Sequence, residues 1–169
     1  MSEGSRKNRK KTGINTLGFF YSSFAIAFLI DRITKLIVTL KIPENFSVKI
    51  CRFLYINNIK NGGICFGFLE NPSYLPLIII LSVIALFVIL LYVHNRRLEL
   101  PIFSHVCFGL ICGGILGNLY DRALYRGVID FIDFLVWPVF NLADTFIVCG
   151  IGCLLIFYSR SRKHASSVS

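Results

Sequence analysis

Two short patterns repeat in the second half of the chain, Asn118-x-x-Asp121 and Asn141-x-x-Asp144. At i,i+3 an amide and a carboxylate share one face of a helix. Both patterns border long apolar runs, where an isolated carboxylate costs about 2.5–3.5 kcal/mol on membrane-insertion scales. Retaining two of them calls for a reason. Two carboxylates that share one proton can activate water, the ionised one taking its proton while the protonated one polarises a carbonyl. The chemistry expected is aspartic peptide hydrolysis, with Asp121 and Asp144 as the catalytic pair and Asn118 and Asn141 orienting them. His94, His105 and His164 lie at the opposite ends of the apolar runs or in the tail, so no Ser/His or Cys/His set competes.

The elements that must position these residues are written in the composition. Of 169 residues 55% are hydrophobic, 16% are charged and 16 are phenylalanine. Mean hydropathy is +0.69. A disordered chain is excluded, and a soluble core of this size would not hide so much apolar surface. A bilayer core about 30 Å thick takes roughly 20 apolar residues as helix. Runs at about 17–40, 74–93, 102–120 and 135–158 answer to this. The fold class expected is an all-α membrane protein, a four-helix transmembrane bundle with a small β-rich extracytoplasmic element, as a single integral membrane domain over 1–169. The first run carries Asp31-Arg32-Ile33-Thr34-Lys35 in its outer half. Its Ala25-Ile26-Ala27 imitates a signal-peptide cleavage site but lies inside the apolar run, so an uncleaved helix is expected.

The net charge of +9 lies in clusters between the apolar runs. That is the pattern of cytoplasmic loops and not of a nucleic-acid-binding face. Segments 1–13, 94–100 and 159–169 hold 10 Lys+Arg in 31 residues, whereas 41–71 and 122–136 hold 6 in 46. Both termini are therefore expected in the cytoplasm. Consecutive helices then run in opposite directions and bring Asp31, Lys35, Asp121 and Asp144 to one level near the outer face. With Trp137 at the interface, Asp144 would lie about 10 Å into the fourth helix. Gly109, Gly113 and Gly117 form a small-xxx-small stripe for close helix approach. In the 41–71 loop, Ser47–Ile56 alternates at period two before Asn57-Asn58 and Asn61-Gly62-Gly63, which suggests a strand or hairpin.

Other readings compete at this level. Asp31 and Lys35, at i,i+4, suit a pair that merely neutralises itself, and Arg122 adjoins Asp121. The six cysteines give no metal or redox pattern, and whether Cys51 and Cys65 pair is left open. A small proton- or ion-coupled carrier would also use intramembrane Asp residues. A metal-dependent phosphotransferase would use Asp121, Asp130, Asp133 and Asp144.

The motifs taken together resemble the signal peptidase II (lipoprotein signal peptidase) family over about residues 31–146. Asp31-x-x-Thr34-Lys35 is similar to its first motif and Asn61-x-Gly63-x-x-Phe66 to its second. Gly113-Gly114-x-x-Gly117-Asn118-x-x-Asp121-Arg122 with Val128-x-Asp130-Phe131 is similar to the third, and Phe140-Asn141-x-Ala143-Asp144 to the last. The chain departs from the pattern at Ile64-Cys65, where two alanines are usual, and at Gly127, which is displaced by one position. The resemblance implies Asp121 and Asp144 as the catalytic dyad, with Asp31, Lys35, Asn61, Asn118, Arg122 and Asn141 shaping the site or holding substrate. It implies cleavage of a diacylglyceryl-modified prolipoprotein just before the lipidated Cys, without metal or cofactor. It also implies a monomer in contact with lipid in the bacterial cytoplasmic membrane, and a β-rich cradle formed by 41–71.

Overall fold

The computed structural model describes residues 16–63 and 71–166, without the side chains of Pro72 and 162–166. The elements follow in the order α1 (Thr16–Lys41), β1 (Ser47–Cys51), β2 (Leu54–Asn61), a 3-10 turn (Pro72–Tyr74), α2 (Leu75–Asn95), α3 (Ile102–Tyr125), β3 (Val128–Asp133) and α4 (Leu142–Ser166). Among the described residues, three helical stretches are long and apolar enough to cross a membrane: Leu75–Asn95, Ile102–Tyr125 and Leu142–Ser161. The charged residues of its outer half set α1 apart from them. Prolines open two of the helices, Pro76 in the first turn of α2 and Pro101 just ahead of α3. There a missing N–H leaves no helical bond unmade.

Helix α3 is the centre, packed against α1, α2 and α4. Its glycines decide how close the neighbours come. A Cβ on Gly113 would stand 2.6 Å from the Phe24 carbonyl of α1, and one on Gly117 2.5 Å from Asp31 Oδ2. Gly114 faces the other way, where a Cβ would stand 2.5 Å from the Ala143 carbonyl of α4. The stripe thus seats α1 on one side of α3 and α4 on the other, at backbone contact distance. At the opposite end, Phe20, Val93, Leu100 and Cys112 form a buried apolar cluster.

The expected hairpin is present as β1 and β2, and β3 adds a third antiparallel strand in the order β1-β2-β3. Val48 faces Ile56, Ile56 faces Ile132, and Asn61 faces Val128. The rest of the second motif, from Ile64 to Phe66, lies outside the described residues, as does Cys65 and with it the question of a Cys51–Cys65 pair.

The fourth helix begins at Leu142 and not at Leu135. Residues 128–133 form β3, and the chain then turns through Leu135 in the left-handed region, φ 64°. Asp144 consequently sits in the first turn of α4 and not seven residues into it. The apolar run Phe134–Trp137 imitates a helix start, but the true start signal is Asn141-Leu142-Ala143-Asp144. The Asn141 side chain accepts the Asp144 N–H at 3.0 Å, and the Asp144 carboxylate accepts the Asn141 N–H at 3.3 Å. This reciprocal pairing is a capping box with Asp in the position usually held by Glu or Gln.

The seating of α1 on α3 is testable at Gly113. Gly113→Ala should destabilise the protein by about 1–3 kcal/mol, because the obstructing atom is backbone. Gly152→Ala, with nothing within 4 Å of the added carbon, should be close to neutral; thermal unfolding in detergent compares the two.

Candidate active site

The expected convergence of charged groups is present, with a different pairing. Asp31, Lys35, Asp121 and Asn141 are all fully buried, and Asn118 and Asp130 nearly so. The partners of Asp121 come from α1 and β3. Lys35 Nζ lies 2.7 Å from its Oδ2 and Arg32 Nη1 lies 2.6 Å from its Oδ1. The Ile129 N–H of β3 also donates to Oδ2, at 3.3 Å. The Arg32 contact is an ion pair without directed hydrogen-bond geometry, and its guanidinium also lies over the Tyr120 ring, 4.8 Å from the centroid. Asp121 is therefore the carboxylate that locks α1 and β3 to α3. Both of its oxygens are held by cations of α1, an environment unlike that of Asp144.

Lys35 is the hub of this cluster. Its ammonium has three protons, and three acceptors stand within reach: Asp31 Oδ2 at 3.0 Å, Asp121 Oδ2 at 2.7 Å and Asn118 Oδ1 at 3.0 Å. The i,i+4 pair of Asp31 and Lys35 exists, but it is not closed on itself. The other oxygen of Asp31 accepts the Ala143 N–H at 3.0 Å. That N–H lies in the first turn of α4, where no helical acceptor is available. Asp31 thus fixes the start of α4 from α1.

Asn118, oriented by Lys35, donates from Nδ2 to Asp144 Oδ1 at 2.7 Å. Asn141 joins the remaining parts. Its Nδ2 donates to Asp130 Oδ1 at 2.6 Å and to Asn118 Oδ1 at 3.2 Å, while its backbone N–H donates to Asp144. Asp130, on β3, accepts a further hydrogen bond from Asn61 Nδ2 at 2.9 Å. The carboxylate brought beside Asp144 by shared partners is therefore Asp130. Burial pushes the Asp130 carboxyl up to about 6; the nearby Asp144 charge adds to this, and the hydrogen bonds from Asn61 and Asn141 and the charge of Lys35 oppose it. Asp130 stands in Val128-x-Asp130-Phe131, a motif visible in the sequence. No helical spacing ties it to Asp144, so along the chain it stands only as a motif residue and as one of the carboxylates of the phosphotransferase alternative.

Arg122 is fastened to backbone. Its guanidinium reaches the Gly63 carbonyl at 3.4 Å and the Asn118 carbonyl at 3.5 Å, tying the end of α3 to the end of β2. Asn61 Oδ1 accepts the Gly63 N–H at 2.9 Å, fixing the same corner. The four-carboxylate metal arrangement is dispersed. Asp121 is held by cations, and Asp133 accepts from Asn57 at 2.8 Å and caps the Leu135 N–H at 2.7 Å.

The family model described as signal peptidase (SPase) II matches residues 23–160. The chain is 43% identical to a lipoprotein signal peptidase of Syntrophomonas wolfei over 138 residues, covering 81% of this chain and 89% of that protein. It is 35% identical to a lipoprotein signal peptidase of Halothermothrix orenii over 144 residues, covering 85% and 97%. Among solved structures, a bacterial membrane enzyme determined by the in meso method at 2.3 Å resolution superposes with a TM-score of 0.79 at 26% identity, covering 87% of this chain and 91% of that one. The chain belongs to the signal peptidase II family, aspartic-type membrane peptidases that remove signal peptides from prolipoproteins. The carrier reading has no support in these comparisons.

The ion pairs of Asp121 have a direct consequence. Asp121→Asn leaves Lys35 and Arg32 buried with one counter-charge fewer, and breaking a buried pair from one side costs about 3–5 kcal/mol. A marked fall in unfolding temperature is expected, with residual cleavage tracking the folded fraction.

Proposed function

We propose that this chain is the peptidase that removes the signal peptide from diacylglyceryl-modified prolipoproteins, cutting before the lipidated Cys with Asp130 and Asp144 as the reacting carboxylates. The observation that carries the assignment is Asn141, hydrogen-bonded to Asp130 through its side chain and to Asp144 through its backbone. A water between the two carboxylates gives a proton to Asp144 as its oxygen attacks the scissile carbonyl carbon. Asp130 gives its proton to the carbonyl oxygen. The tetrahedral intermediate then collapses, the C–N bond breaks, and the proton held by Asp144 goes to the leaving amine of the Cys while Asp130 recovers its own. Asp130 takes the acid role because burial keeps its proton on to about pH 6. Asn118 and Asn141 hold Asp144; Asn61 holds Asp130; Arg122 fastens the mouth of the site through Gly63.

In this reading α1 is the fourth membrane crossing, its buried charges neutralised within the bundle, and the whole chain is one integral domain. Both termini are cytoplasmic, by the density of Lys and Arg in 1–13, 94–100 and 159–169. The protein works as a monomer in the bacterial cytoplasmic membrane. Its outward apolar faces contact lipid, and the substrate's acyl chains remain there while the peptide enters the site. Fixing the lipid anchor fixes the scissile bond, so catalysis is largely positioning.

Asp130→Asn and Asp144→Asn should each lower kcat for a lipidated precursor by about 10²–10⁴-fold with the unfolding temperature retained. Full activity in Asp130→Asn would overturn the assignment. The ionisation of Asp130 sets a second test. The acid form is present below about 6 and lost above it, so kcat/KM should fall as pH rises through that region. The limb in kcat should lie at higher pH, since bound substrate buries the pair further. A rate that climbs through the same interval would reverse the acid and base roles.

A further inference from the structure

We propose that the crevice between the outer ends of α1 and α3, bordered by β2, binds the headgroup of a phospholipid that carries a primary ammonium. Its phosphate would rest on Lys60 and its ammonium on Glu44. The proposal rests on the membrane placement above, and is independent of which carboxylates react. Thr39 of α1, Tyr120 and Tyr125 of α3, and Asn58 and Lys60 of β2 stand around the crevice, whereas Asp130 and Asp144 do not line it. Its volume of about 500 Å³ falls within the roughly 300–1,000 Å³ of small-ligand sites. The inner wall is firmly built. Lys35 is buried against Asp31 and Asp121, and Arg32 is held by Asp121 and lies over the Tyr120 ring. The rim is pinned as well. The Asn45 N–H donates to the Asn58 carbonyl at 2.8 Å and the Asn58 N–H to the Phe46 carbonyl at 3.1 Å, which fastens the connection bearing Glu44 to β2.

Charge selects the kind of occupant. The cations of the inner wall, Arg32 and Lys35, are already met by Asp31 and Asp121. What remains is one exposed cation, Lys60, and one exposed acid, Glu44, the single acid among the described lining residues. A purely anionic ligand would leave Glu44 opposing it, and a purely cationic one would meet Lys60. A zwitterion answers both. The cationic half is a primary ammonium, which donates charge-assisted hydrogen bonds to a carboxylate. A quaternary ammonium would need open aromatic faces, and the face of Tyr120 is covered by Arg32. Position selects a lipid. Exposed Tyr120 and Tyr125 stand at the outer end of α3, the level at which aromatic rings meet headgroups. From the crevice, Leu36, Ile33 and Leu29 form an exposed apolar stripe down α1 at helical spacing. Acyl chains joined to a headgroup in the crevice would lie along that stripe.

The full chain, freed of lipid in detergent, is titrated with phosphatidylethanolamine, phosphatidylglycerol or phosphatidylcholine of equal acyl length, and bound lipid is read by native mass spectrometry. Phosphatidylethanolamine should bind about tenfold more tightly than either of the others, the worth of one hydrogen bond to a charged group. Glu44→Gln should abolish that preference. Lys60→Gln should weaken phosphatidylethanolamine and phosphatidylglycerol alike by about tenfold, and Lys60→Arg should retain binding. Lys49→Gln removes an exposed cation outside the crevice and should change neither affinity. Equal affinities for the three lipids, a preference that survives Glu44→Gln, or equal losses in Lys49→Gln and Lys60→Gln each overturn the proposal. O-phosphoethanolamine, the headgroup without acyl chains, is the remaining arm. Binding as tight as that of the lipid would assign the crevice to a soluble phosphate ester and overturn the proposal also. Glu44 and Lys60 are both exposed, so unfolding temperatures should be retained; should Lys60→Gln fail to fold, Lys60→Met takes its place. Binding is read without substrate, so failure of Asp130 and Asp144 as reacting groups would leave these outcomes unchanged.

Discussion

The structure depends on one buried ammonium group. Lys35 lies in an apolar bundle where an unpaired charge would shift or neutralise itself, and it is retained because three acceptors meet its three protons. Each acceptor belongs to a different task. Asp31 reaches on to the start of α4, Asp121 to Arg32 and β3, and Asn118 to Asp144. A side chain on α1 thereby fixes the relative positions of α3, α4 and the sheet. The glycine stripe of α3 makes this possible, since a Cβ at Gly117 would stand only 2.5 Å from Asp31 Oδ2.

Around that hub, structural and chemical duties are combined in the same atoms. Asn141 caps α4, and the reciprocal bonds of the cap are also the bonds that orient Asp144. The same side chain crosses to Asp130 on β3. Hydrogen bonds to carboxylates exceed neutral ones in strength, and a network with its members satisfied is rigid. Such rigidity suits the proposed site, in which a water and two carboxylates keep a fixed relation.

Counter-charge separates the carboxylates of the scaffold from the two proposed to react. Asp31 and Asp121 are each met by a cation at 3.0 Å or less, whereas Asp130 and Asp144 are met by amides. Amides orient a carboxylate without an opposing full charge, and leave it able to exchange a proton with a water. A family likeness carries all four Asp residues together and does not by itself sort them.

Much of this was legible in the residues. The apolar runs match α1 and α2 nearly to their ends and α3 at its start, although α3 continues past 120 to Tyr125, because bilayer thickness and helix rise leave little choice of length. The hairpin followed from period-two alternation, and the level of the charged groups from antiparallel travel. The fourth helix starts later than its apolar run because the chain turns through Leu135 in the left-handed region before Asn141 caps the helix. Asn141-x-x-Asp144 reads along the chain as chemistry, and its second role as a cap shows only in the fold. The sequence by itself determined which polar residues are buried in apolar surroundings, since composition and periodicity are local properties. Which carboxylate meets which partner was decided only by tertiary structure. Arg32 and Lys35 claim Asp121 from another helix, and β3 delivers Asp130 through strand pairing to β2, contacts between segments far apart in the chain that no spacing along it encodes.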